Sequence, residues 1–310
     1  MKKIIIAGGA GFVGSHLCEF LVEEKNNFIY CIDNLLTGSE KNISHLIEKK
    51  NFKFINQDIC SKINLEVDQI YNLACPASPI QYQNYPIETI NACIDGTRNL
   101  LDLARKYNAT ILQASTSEVY GDPLEHPQNE SYHGNVNLNG PRSCYDEGKR
   151  VAETIFYNYK TQFNVDIRIA RIFNTYGPRM QINDGRVISN FINQSINNSD
   201  ITIYGDGSQT RSFCYVTDMI AGLVKLMDSD YQNPMNLGND EEYSILDTAN
   251  QIVKNMDSSS QIVFKDLPEN DPLKRKPNLS LAREIINYNP KILFSIGLAD
   301  TILYFKSLYE

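Results

Sequence analysis

A doubly wound α/β fold, a parallel sheet covered by helices on both faces with a smaller C-terminal α/β lid, is what this sequence predicts. Three observations carry that prediction. Short β-branched runs alternate with helical patterns as far as Pro178. Those runs lack the polar alternation of a half-exposed sheet, so both faces of the strands are expected to be buried. Beyond Pro178 the pattern loosens, but no linker, repeat or low-complexity tract intervenes. The last third is therefore expected to build against the sheet rather than hang from it.

The elements follow in order. KKIIIAGGAGFVGSHLCEFLVEE (2–24) is a strand, a glycine turn and an amphipathic helix. FIYCIDN (28–34), FKFINQDI (52–59) and DQIYNLACPAS (68–78) are the second, third and fourth strands. IETINACIDGTRNLLDLARKY (87–107) is a long amphipathic helix, ATILQASTSEVYG (109–121) a fifth strand, CYDEGKRVAETIFYNYKTQF (144–163) a helix and VDIRIARIFNTYGP (165–178) a strand. Then come a helix at 186–196, a turn-rich segment at 201–213 and a helix at 216–227 that packs back on the sheet. Helices at 244–256 and 281–288 are the last strong patterns. The expected division is a cofactor unit of residues 1–178 with 212–236 returning to it, and a substrate unit of 179–211 and 237–310.

Composition narrows the function. With 310 residues, 42% hydrophobic and 21% charged, the chain can bury a full core. A formal charge of −8 argues against nucleic-acid or anionic-membrane binding through a broad basic face. Seven unpaired-looking cysteines suggest reduced thiols and a cytoplasmic setting. The four histidines, at 16, 45, 126 and 133, have no metal-ligand spacing, so no metal is expected. The apolar run at the start is too short for a signal or a membrane span.

Gly8, Gly11 and Gly14 sit between the first strand and its helix, around Phe12 and Val13. Such glycines permit a tight turn and a close approach of backbone to a pyrophosphate, beside the positive N-terminus of the helix. It is expected to be the phosphate-binding turn of a Rossmann-type fold. Asp33, about 20 residues on at the end of the second strand, can hold both ribose hydroxyls and would repel a 2′-phosphate, so NAD is expected over NADP. Asn34, Thr37, Gly38, Asp58, Ile59, Leu73 and Cys75 complete the cofactor side.

Tyr145 and Lys149 stand at i and i+4, on one helix face. A phenol ordinarily titrates near 10. A nearby ammonium favours the phenolate, so Tyr145 is the expected base for a sugar hydroxyl that loses hydride.

With these motifs in this order the chain resembles the extended short-chain dehydrogenases/reductases, and among them the UDP-glucuronate decarboxylases. The matching blocks are ACPASP (74–79), STSEVYGDPLEHPQ (115–128), RSCYDEGKRVAE (142–153), RIARIFNTYGPRM (168–180), YGDGSQTRSF (204–213) and DPLKRKP (271–277). The resemblance implies that Thr116 bonds the reacting hydroxyl, Tyr145 is the base, Lys149 holds the nicotinamide ribose, and Glu118 and Arg275 sit at the carbon that loses CO2. It also implies a homodimer through a four-helix bundle formed by helices 87–107 and 146–163. Departures from the family pattern are Cys93 for Asn, Asn72 for His and Pro141 for Glu. The first puts a water relay through its helix in doubt; the other two are expected to be structural.

Ser117 argues for the reaction. A 4,6-dehydratase of this scaffold usually carries Asp-Glu where this chain has Ser117-Glu118. A decarboxylase meets a C6′ carboxylate, and an aspartate at ~4 Å would cost ~4 kcal/mol even at an effective dielectric of ~20. A serine hydroxyl donates a hydrogen bond instead. The expected reaction is UDP-glucuronate to UDP-xylose and CO2, with NADH retained and reoxidised. A dTDP-glucose 4,6-dehydratase or a UDP-sugar 4-epimerase is the alternative, and a non-catalytic NAD-sensing protein a remote one. Arg186, Arg211 and Arg275 are candidates for the diphosphate, since guanidinium forks suit phosphate. Tyr204 and Gln209 are expected at the uridine and Asn174 at the sugar-diphosphate end.

Overall fold

The computed structural model describes residues 1–266 and 274–309. Seven strands form one all-parallel sheet in the order Pro234–Leu237, Ile167–Ile172, Thr110–Thr116, Gln69–Asn72, Lys2–Ala7, Asn27–Asp33, Phe52–Asn56. Parity along the first strand explains the layers. Ile4 and Ile6 face a core shared with Leu17 and Leu21 of helix Phe12–Val22 and with Met219 and Leu223 of helix Val216–Met227. Ile5 and Ala7 face the other core, with Leu100, Leu101 and Ala104 of helix Thr97–Tyr107 and Phe156 of helix Ser143–Phe163. Alternate side chains of a strand point to opposite faces, so continuous Ile runs are what a sheet covered twice requires.

The first strand lies between Gln69–Asn72 and Asn27–Asp33. Strand order reverses there, which opens a crevice beyond the carboxyl ends of the strands. Asp33, Asn72 and Thr116 end their strands along that edge.

The structure shortens the expected fifth strand. It stops at Thr116, and Ser117–Tyr120 turns as a 3-10 helix whose first free N–H, of Glu118, is capped by Thr116 Oγ1 at 3.2 Å. The long helix at 87–107 is Pro86–Asn91 and Thr97–Tyr107 joined by a wide π turn, Ala92–Gly96. Gly96 is needed in that turn, because a Cβ would come within 2.4 Å of Ile59 Cδ1.

In the last third, Ile201–Tyr204 pairs in parallel with Ile262–Lys265. Thr210–Ser212 lies between Glu242–Ser244 and Lys274–Arg275. Helices Val187–Ile196, Ile245–Met256 and Phe294–Ser307 pack against this part. The last of these lies beyond the strong helical patterns of the sequence, because its apolar residues surround more than one face. No helix among the described residues is long and apolar enough to cross a membrane.

Candidate active site

One cavity of about 800 Å³ opens at the crevice. The glycine turn forms its inner wall. Gly8 has φ of +75°, and a Cβ there would lie 2.8 Å from the backbone of Ala74. At Gly14 a Cβ would be 2.1 Å from Gly8 O, so the helix could not approach the strand. Gly11 has only Gly8 O nearby and is otherwise open, and it begins helix Phe12–Val22 with no side-chain cap. Phe12, Val13 and Gly14 line the cavity there. Bare amides in a cradle that no Cβ obstructs fit a dinucleotide pyrophosphate.

Asp33 is buried on the same wall. Its Oδ2 accepts from Ala10 N at 3.0 Å and its Oδ1 from Leu35 N at 2.8 Å. Burial pushes its carboxyl up from the usual range, opposed by those two bonds. Asn34 donates to Asp58 Oδ2 at 2.9 Å, which ties the second strand's exit to the third's. Thr37, Asp58, Ile59 and Leu73 line the cavity. Gly38 packs against Asp33, where a Cβ would press within 2.8 Å of Oδ1.

Cys75 and Cys93 meet with Sγ atoms 3.6 Å apart. The thiol of Cys93 holds Cys75 down at about 7, against the effect of burial and with help from Lys149. Cys93 lies in the wide turn and packs on Gly148, whose Cβ would be 3.1 Å from its sulfur. All seven cysteines are free thiols.

Thr116, Tyr145 and Lys149 converge beside this wall. Lys149 Nζ lies 5.7 Å from the Tyr145 ring centroid and donates to Ala114 O at 2.8 Å. The expected lowering of the phenol is not what these residues alone produce. Burial pushes Tyr145 well above its ordinary value, with Cys75 adding to the rise, while a hydrogen bond with Thr116 opposes it. Tyr82 of helix Pro79–Asn84 stacks on Tyr145 at 5.0 Å and 7°. Asn72 is buried and donates to Gln113 Oε1 at 2.8 Å, and Pro141 lines the cavity.

Glu118 is gripped by two guanidinium groups. Arg275 donates to its Oε1 at 2.6 Å and its Oε2 at 2.9 Å, and Arg142 bonds Oε2 as well. Burial works to raise this carboxyl, but Arg275 and then Arg142 overcome it and hold it below its usual range. Ser117 lines the cavity beside this cluster. Arg275 reaches the site because its strand pairs in parallel with Thr210–Ser212, in register with Arg211. Of the 271–277 block, only residues 274–277 lie within the described residues.

Arg186, Tyr204, Gln209, Arg211 and Asn174 also line the cavity, with Arg186 over the Phe12 ring at 5.7 Å. Arg186 is paired with Asp184, its Nε 2.8 Å from Oδ2. Gln209 donates to Tyr204 O at 2.5 Å and leaves a buried Oε1 unpartnered. Among the described residues no group of three His, Cys, Asp or Glu side chains could hold a metal. Arg142 was missed by sequence reasoning; its signal was its place three residues before Tyr145 in the block at 142–153.

A family model described as GDP-mannose 4,6 dehydratase matches residues 5–298. The chain belongs to this family. Within it, UDP-glucuronic acid decarboxylase 1 of Arabidopsis thaliana is 51% identical over 305 residues, 98% of this chain and 70% of the relative. UDP-glucuronic acid decarboxylase 1 of Xenopus tropicalis is 49% identical over 309 residues, 100% of this chain and 73% of the relative. Among solved structures, the UDP-glucuronic acid 4-epimerase of Bacillus cereus with UDP-glucuronic acid and NAD superposes with a TM-score of 0.90 at 28% identity, covering 99% of this chain and 100% of that one.

Proposed function

We propose that this protein is an NAD-dependent UDP-glucuronate decarboxylase that forms UDP-xylose and CO2. The observation that carries the reading is the Glu118–Arg275–Arg142 cluster beside Ser117, Thr116 and Tyr145. Two guanidinium groups against one carboxylate leave a net positive charge, suited to a second carboxylate brought by the substrate. Identity near 50% to decarboxylases over the whole chain supports the same reaction.

When bound, NAD supplies the hydride acceptor for C4′ and the hydride that later returns. The glycine turn and Asp33 would hold it, with Lys149 at the nicotinamide ribose. Tyr145 accepts the C4′ hydroxyl proton while Thr116 orients that hydroxyl. The C4′ ketone is then β to the carboxylate, so the C5′–C6′ bond breaks, its electron pair passes into an enolate, and CO2 leaves. Ser117 lets the carboxylate enter without like-charge repulsion. Arg275 and Arg142 hold it, and Tyr145 finally returns its proton. The buried unpartnered Oε1 of Gln209 suits a uracil N–H, with Tyr204 beside it. Arg186, Arg211 and Asn174 serve the diphosphate end.

This reading includes the division into a cofactor unit (1–178 with 212–236) and a nucleotide-sugar unit (179–211 with 237–310). It also includes a cytoplasmic homodimer built on helices 87–107 and 146–163, whose exposed Ile87, Val151 and Tyr157 offer apolar contact. Carbon-labelled UDP-glucuronate tests the chemistry. Label at C6′ is expected in CO2, and Arg275→Ala is expected to stop its release; label kept in a UDP-sugar would favour epimerisation.

A further inference from the structure

The decarboxylation proposed above consumes a proton. Loss of CO2 from the keto acid leaves an enolate at C4′–C5′, and C5′ must then gain a hydrogen that comes from solvent. Glu118 is an unsuitable donor, because Arg275 and Arg142 hold it as a carboxylate.

A second cavity, of about 200 Å³, adjoins the first and shares Glu118, Pro141 and Arg142 with it. Asp146 lines this second cavity and not the first. It lies 7% exposed near the start of helix Ser143–Phe163, and its Oδ1 is buried without a hydrogen-bond partner. Arg142 links the two cavities: its Nη2 bonds Glu118 and its Nε is 3.9 Å from Asp146 Oδ2. An unpartnered buried carboxyl oxygen is costly when ionised and tolerable when protonated.

We propose that Asp146 is the proton reservoir for C5′, refilled from solvent through the second cavity. After the C5′–C6′ bond breaks, the Asp146 carboxyl gives its proton to a water where the two cavities meet, beside the Arg142–Glu118 pair, and that water gives one to C5′. The enolate pair forms the new C5′–H bond, and the aspartate left behind takes a proton from water in its cavity. Asp146 touches no reacting atom and acts as a relay.

The surroundings agree. Burial first, and then Glu118, push the Asp146 carboxyl up to about 7, while Arg142 and Arg275 pull it down and Glu147 adds to the rise. Tyr82 and Cys144 also feel its charge.

The test is the pH profile of CO2 release by wild type and Asp146→Asn. Wild-type kcat is expected to fall as pH rises through neutrality, when Asp146 loses its proton. Asp146→Asn is expected to be about 10²-fold or more slower on the acid side, within the range for general acids, and flat across that window with KM unchanged. A variant that follows the wild-type profile overturns the proposal. Infrared titration of the substrate-free protein gives a second reading. One carboxyl should lose its proton near neutrality in wild type and be absent from the variant; wild type with no such carboxyl also overturns it. That readout stands whether or not UDP-glucuronate is consumed. Failure of the decarboxylase reading is seen separately, as wild type leaving UDP-glucuronate unchanged.

Discussion

Ser117 and Glu118 are neighbours in the chain that meet different demands at the site. Ser117→Asp would bring a negative charge to the place where the substrate carboxylate enters. CO2 release is expected to fall by about 10³-fold, from a repulsion of ~4 kcal/mol at ~4 Å, as measured by initial rates. Glu118→Gln leaves two guanidinium groups without their anion. Breaking such a buried pair costs about 3–5 kcal/mol, read as a lower Tm at neutral pH. The pH dependence has a definite sign. The folded carboxyl of Glu118 sits below its unfolded value, so its contribution is complete above the unfolded value and fades as pH falls through the folded one. The Tm gap between wild type and variant should therefore narrow in acid. Cys75, held near 7 and lining the cavity, should be the first thiol alkylated by iodoacetamide at neutral pH, followed by peptide mass mapping. Cys18, buried and pushed well up, should react only on unfolding.

At the scale of elements, the strands and the phosphate turn were legible in the sequence. Ile runs of the first strand are buried on both faces, and only a glycine fits at position 14. Gly14→Ala would place a Cβ against Gly8 O at 2.1 Å. An overpacking cost of about 1–3 kcal/mol follows, together with weakened NAD binding, read by thermal unfolding and calorimetry. Other features were not legible because they depend on pairings far apart in sequence. Arg275 joins Glu118 across 157 residues by way of a two-residue strand, and only a family pattern pointed to it. Arg142 stands outside the Tyr-x-x-x-Lys spacing, so no periodicity marked it. The Cys75–Cys93 contact depends on a wide helical turn that the apolar pattern at 87–107 reads as ordinary helix. Helix Phe294–Ser307 has no clear sequence signature, because Phe294, Leu298, Ile302 and Phe305 are buried while Ile296 and Leu303 are exposed, which blurs the period.

For the whole molecule, the topology gathers residues from 8 to 275 around one crevice, and the lid strands bring the arginines that an acidic chain must concentrate locally. The outer helices leave Ile87 and Tyr157 exposed. Light scattering is expected to give the mass of a dimer, and Tyr157→Asp is expected to shift it toward monomer; a wild-type monomer would remove the bundle from the account. The most direct test is to incubate the purified protein with UDP-glucuronate and catalytic NAD⁺ and follow the sugar by proton NMR. The account predicts UDP-xylose, a pentose in which C5′ carries two hydrogens. UDP-galacturonate, or dehydration of dTDP-glucose with UDP-glucuronate untouched, would contradict it.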